Sequence, residues 1–189
     1  MHGFVILEGL LGEWAKVRIL NLGCGDDLYG TDRVDVVPTK ATTLVHDLEL
    51  GIPFPNETFD EVFSKNNLEH VRNVGRYLQE IKRVLKSQGM LILITDNALS
   101  LHWVLGSHSG GYDKHAGKDR HYALFTMEHL KNHLESVGLQ VIEMKLVETD
   151  YFTRHFDRFV RLFAPSISYP RILVRAQKPR DEIKNDRVV

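Results

Sequence analysis

The run Val17-Arg18-Ile19-Leu20-Asn21-Leu22 passes straight into Gly23-Cys24-Gly25, and this junction constrains the fold more than any other feature. The run has the apolar, β-branched character of a buried strand. Glycine lacks a Cβ, so a backbone bearing two of them can turn sharply and let a ligand come close. In open α/β sheets, ligands bind outside the carboxyl ends of the strands, where Gly23 and Gly25 fall. A Gly-x-Gly taken alone is equally served by a tight turn that binds nothing.

Beyond the glycines the chain alternates strand and helix. Val34–Val37 reads as a second strand, stopped by Pro38, and Thr42–His46 as a third, ending at Asp47. Phe59–Ser64 reads as a fourth. Val74, Leu78, Ile81 and Leu85 mark one face of a helix over residues 74–86, with Gly89 as its stop signal. Met90–Thr95 is a continuous apolar run, as expected for a parallel strand covered on both faces. A second long helix begins at the N-cap Thr126, with Glu128 in its first turn and Phe125 and Leu130 placed as a hydrophobic staple. Gly138 ends it. Leu139–Met144 and Ile172–Ala176 read as the last strands, and the charged tail from Lys178 as frayed. The pattern predicts a single α/β domain over residues 1–178 with helices on both faces of a mostly parallel sheet, followed by a tail at 179–189. Two segments break the rhythm: a Gly- and His-rich lid-like insertion at 97–125 and an extra helix at 151–163.

Composition narrows the class. The chain has 189 residues and a formal net charge of −1, which gives no overall basic field for nucleic acid. One cysteine, Cys24, rules out an intrachain disulfide and a Cys-rich zinc site. Phe4–Leu7 is too short for a signal sequence, and no run approaches the roughly 18 apolar residues of a spanning helix. The expected location is the cytoplasm.

Acids behind the strands select the ligand class. Asp35 ends the second strand, where a carboxylate can accept both hydroxyls of a ribose. Asp47 ends the third, within reach of an adenine amino group. Either acid alone is equally explained as a turn or cap residue. A dinucleotide site wants a third glycine, and Leu28 stands there. Asp26, Asp27 and Asp32 would also oppose a pyrophosphate. A sulfonium nucleoside has no phosphate and carries a cation, so it suits these carboxylates better.

Several motifs together resemble one family. Leu20–Gly25 is similar to the first motif of class I S-adenosylmethionine-dependent methyltransferases. Ile52–Asp60 resembles the family's lead-in to its fourth strand, and Asn66–Val71, with Leu68-Glu69-His70, the segment after it. Ile81–Leu91 resembles a further stretch, with Ser87 and Gln88 where Pro and Gly are usual. Phe125–Leu139 resembles the late helix and its glycine turn. The resemblance implies a three-layer Rossmann-like fold with a seven-stranded, mostly parallel sheet whose last strand is antiparallel. It implies S-adenosylmethionine as cofactor and S-adenosylhomocysteine as product. The methionine end would lie near Leu22, Gly23, Cys24 and Gly25, the ribose at Asp35 and Val36, the adenine beside Asp47 and Leu48, and the reaction side at Asn66. The departure is the first crossover. Asp26 to Arg33 is eight residues, too few for the usual helix, which must be shortened or missing.

Methyl transfer from a sulfonium needs alignment more than covalent help, and a base only where the nucleophile starts protonated. His70 is the first candidate base, with loop stabilisation as its alternative. His121 and Tyr122 are the second. Cys24 lacks the partner thiol for covalent catalysis. His102, His108, His115 and His121 do not follow a recognised metal spacing, so no metal is expected; Trp103 and Tyr112 would serve a substrate lid. Arg154, Arg158 and Arg161 would form a basic stripe opposite Phe152, Phe156, Phe159 and Phe163, which are expected to pack in the core. The expected partner is a small-molecule acceptor, anionic or carrier-linked. An RNA or protein substrate, a non-catalytic partner subunit and a homodimer are the alternatives.

Overall fold

The computed structural model describes residues 17–101, 121–148 and 162–180. Seven strands form one sheet: β1 (Ile19–Leu22), β2 (Asp32–Asp35), β3 (Leu44–Val45), β4 (Phe59–Lys65), β5 (Leu85–Asp96), β6 (Gln140–Val147) and β7 (Arg171–Gln177). Their order is β3-β2-β1-β4-β5-β7-β6. The first five run parallel, and β7 runs antiparallel to both β5 and β6. This is the expected Rossmann-like methyltransferase sheet. Two long helices, α1 (Val74–Val84) and α2 (Met127–Ser136), join a short α3 (Pro165–Ser168). Among the described residues no helix is long and apolar enough to cross a membrane.

Alternation along the strands sorts residues onto two faces. Leu20, Leu22, Val62, Leu91, Leu93, Val174 and Ala176 lie on one face and are fully buried. They form one core with Leu78 and Ile81 of α1 and Leu130 and Leu134 of α2. Both helices lie on this face and touch, with Lys82 Nζ donating to the Val137 carbonyl at 2.9 Å. On the other face Ile19, Phe63, Met90, Ile92, Ile94 and Leu173 are only half-buried. No helix joins β1 to β2. The expected loss of the first helix is complete.

Several boundaries differ from the sequence reading. β2 spans residues 32–35 rather than 34–37. The Asp35 carboxylate accepts the Val37 N–H at 2.9 Å and bends the chain away from the ladder. Helix α1 stops at Val84, and residues 85–89 belong to β5, where Leu85 pairs with Phe59 ahead of a bulge. Lys86 turns to bind Asp60 at 2.8 Å. Gln88 has φ 64, the left-handed conformation that explains a usual glycine at this position.

Lys178 is not frayed. It is buried, and its Nζ donates to the Leu85 carbonyl at 2.8 Å and to Glu57 at 3.2 Å. Of the expected 151–163 helix only Leu162 and Phe163 are described. Phe163 is exposed instead of packed in the core; Phe152, Phe156, Phe159 and the three arginines lie outside the described residues.

Candidate active site

At the carboxyl end of β1 the chain turns through Gly23 (φ 68) and Gly25 (φ 53). A Cβ on Gly23 would lie 2.6 Å from the Asn67 side chain, so only glycine fits there. A Cβ on Gly25 would meet nothing within 4 Å, and the turn is open on that side. Beside it lies a cavity of about 340 Å³ lined by Asn21, Gly23, Cys24, Asp26, Asp27, Phe63, Lys65 and Asn66. Asn66 holds φ 54, a conformation that asparagine tolerates and that often marks a functional site. Cys24 is buried, its thiol 3.7 Å from Thr42 Oγ1, and burial pushes it up, away from the thiolate.

The acids expected to bind a nucleoside also hold their own loops. Asp35 accepts the Gly25 N–H at 2.8 Å as well as that of Val37. Asp47 caps the 3-10 turn Leu48–Leu50 by accepting the Glu49 N–H at 3.0 Å. The bland reading of each acid is therefore realised. Each carboxylate oxygen still has a free lone pair, so a ribose or adenine contact remains open to it. Val36 is exposed and Leu48 half-buried at this end; of the expected cofactor residues, Gly23, Cys24 and Asn66 line the cavity, and Leu22, Gly25, Asp35, Val36, Asp47 and Leu48 do not.

The candidate bases do come together. His70 ends the 3-10 turn Leu68–His70 after β4, and its ring meets His121 edge to face at 4.6 Å. The Tyr122 N–H donates to the Glu69 carbonyl at 2.7 Å, pinning the second loop to the first. The Tyr122 ring lies half-exposed under the Arg72 guanidinium at 5.3 Å. His121 Nδ1 lies 3.4 Å from Asp96, a carboxylate also 3.2 Å from Arg171 Nε. Arg171 Nη1 is buried without a hydrogen-bond acceptor. Glu69 is buried and accepts from Thr95 Oγ1 at 2.8 Å; burial first, and the Asp96 charge second, push its carboxyl up.

Asp96, Arg171 and Lys65 have no counterpart in the sequence reading. Asp96 ends an apolar strand at the carboxyl edge, a signal that was available. Arg171 faces it only through the antiparallel register of β5 and β7. His102, His108, His115, Trp103 and Tyr112 lie outside the described residues. Among the described residues no group of three His, Cys, Asp or Glu side chains is arranged to hold a metal.

Comparison with known proteins agrees with this geometry. Residues 29–93 match the family model described as "Methyltransferase domain". The demethylmenaquinone methyltransferase of Bacillus mycoides (strain KBAB4) is 29% identical over 90 residues, and that of Bacillus cereus (strain B4264) 30%. Each match covers 48% of this chain and only 38% of the relative's length. Among solved structures, an S-adenosylmethionine-dependent methyltransferase from Thermotoga maritima superposes with TM-score 0.62 at 22% identity, covering 90% of this chain and 84% of that one. The phosphoethanolamine N-methyltransferase 2 of Haemonchus contortus, in complex with S-adenosyl-L-methionine, gives 0.59 at 17%, covering 87% and 49%. At these identities the structural likeness establishes the fold.

Proposed function

We propose that this chain is a class I S-adenosylmethionine-dependent methyltransferase and transfers the methyl of S-adenosylmethionine directly to a small acceptor, a reading supported by the methyltransferase-domain match over residues 29–93. The observation that carries the reading is the cavity beside the open glycine turn at the carboxyl end of β1. The residues fit the group. Gly23 and Gly25 let the backbone approach, Asp26 and Asp27 suit a cation, and nothing there is built for a pyrophosphate. Gly23 and Cys24 would line the methionine end and Asn66 the reaction side, whereas the Leu22 side chain is sealed in the core and does not line the cavity. Asp35 with Val36 would hold the ribose, and Asp47 with Leu48 the adenine.

S-adenosylmethionine supplies, when bound, a methyl already activated by the sulfonium. The chain's part is alignment, exclusion of water and care of the acceptor's proton. Asp96 stands 3.4 Å from His121 Nδ1, close enough to orient the ring in this reading. His121 and His70, in ring contact, take the proton of a hydroxyl, thiol or ammonium acceptor.

The test is calorimetric titration with S-adenosylmethionine, S-adenosylhomocysteine and, as control, NADH. Micromolar binding of the first two and none of the third is expected, with an acceptor screen as the next step. Absence of binding by donor and product overturns the reading.

A further inference from the structure

Resting on the reading above, the cavity itself says how the amino-acid end of the donor would be held. A helix starting at the glycine turn would aim free N–H groups and a partial positive charge at the cavity, a ready seat for a carboxylate. This chain has no helix there. The connection from Gly23 to Thr31 instead folds down onto the open face of the sheet. Asn21 Nδ2 donates to the Tyr29 carbonyl at 3.1 Å, and the Thr31 N–H donates to the Ile19 carbonyl at 2.9 Å. The Tyr29 ring meets Phe63 edge-on at 5.0 Å, and its hydroxyl donates to Glu61. Tied in this way, the loop leaves Asp26 and Asp27 on the cavity wall.

Lys65 answers them. It is the last residue of β4, is exposed, and is the one cation among the described residues that lines this cavity. It shares a sheet face with Asn21 and Phe63, which form the floor. No ion pair joins it to Asp26 or Asp27 among the described residues. The Asp27 carboxylate accepts the Tyr29 N–H at 2.9 Å through Oδ1, and a cavity wall that presents one cation and two anions not joined to each other is complementary to a ligand carrying both signs. An α-amino acid is such a ligand, and a methionine end is one.

We propose that Lys65 binds the α-carboxylate, and Asp26 with Asp27 the α-ammonium, of the donor's methionine end, in place of the missing helix terminus. The charges would supply by side chains what the fold elsewhere supplies by backbone. Because they are wet, their contribution falls with added salt.

Three ligands separate the terms by calorimetry. S-adenosylhomocysteine carries both charges, decarboxylated S-adenosylmethionine lacks the carboxylate, and methylthioadenosine lacks the whole amino-acid end. Lys65→Met is expected to weaken S-adenosylhomocysteine by about tenfold, the size of one charge-assisted hydrogen bond, and to leave the decarboxylated ligand as tight or tighter. Lys65→Arg should restore most of the loss. Asp26→Asn with Asp27→Asn should weaken both amine-bearing ligands and spare methylthioadenosine. An unchanged affinity of Lys65→Met for S-adenosylhomocysteine would overturn the proposal, and so would an equal loss for all three ligands. If the unmodified protein binds none of the three, the donor reading itself falls and this inference falls with it.

Discussion

The two faces of this sheet are built for different purposes. Beneath α1 and α2, side chains from five of the seven strands are sealed into one core, and Leu93 has no exposed surface. On the opposite face Ile92, its neighbour in the same strand, is half-buried, and a nine-residue loop stands where a helix would cover β1 and β4. The sealed face supplies stability. The thin face has room for a cavity, with Lys65, Asp26 and Asp27 around it. The difference teaches that a deleted helix need not unfold such a sheet, because among the described residues the buried core lies on the other side.

The largest effects should separate the faces by stability. Leu93→Ala is expected to cost about 3–4 kcal/mol in urea unfolding, and Ile92→Ala about half of that, because a half-buried side chain leaves less cavity behind. Equal costs would mean that the thin face is packed as tightly as the sealed one.

Next comes ligand binding at the rim. Asp35→Ala should weaken S-adenosylhomocysteine about ten- to a hundredfold, as charge-assisted hydrogen bonds contribute about 1.5–3 kcal/mol. It should also lower the melting temperature, since the Gly25 and Val37 N–H groups lose their acceptor. A lower melting temperature with unchanged affinity would leave Asp35 a turn residue only.

A smaller effect is the acid response beside the sealed core. Glu80 accepts from Arg83 at 2.8 Å and from the Ile52 N–H at 3.0 Å. The Arg83 hydrogen bond holds its carboxyl below the ordinary value of 4.5. Its contribution is therefore fully present above pH 4.5 and lost as pH falls through the lower folded-state value. Glu80→Gln should flatten that part of the stability-against-pH curve, by about 1 kcal/mol. A curve parallel to the wild type would remove Glu80 from the acid response.

The smallest concerns the loop that replaces the helix. The hydrogen bond to Glu61 pushes the Tyr29 phenol up to about 12, so it stays a donor at neutral pH. Tyr29→Phe should cost about 0.5–1 kcal/mol and change S-adenosylhomocysteine affinity by about twofold at most. A large loss of affinity would show that the loop, and not only its charges, shapes the cavity.

Much of this was legible beforehand. Strands β1, β4, β6 and β7, both long helices, the Thr126 cap and the Phe125 and Leu130 staple come from local spacing. Thr126 accepts the His129 N–H at 3.2 Å, and both staple residues are buried. The missing first helix could be counted from eight residues. The boundary at Val84 and the docking of Lys178 could not, because each depends on a partner dozens of residues away.

The sequence by itself determined the order of elements, the glycine turn, the acids behind β2 and β3 and the short crossover. These rest on hydrophobic period and backbone stereochemistry, which act over a few residues. Tertiary structure alone decided that Asp96 meets Arg171 and His121, that His70 touches His121, and that Lys65 shares a cavity with Asp26 and Asp27. Those meetings depend on strand register and loop path, and pairing between distant segments is selected by the packing of the whole sheet.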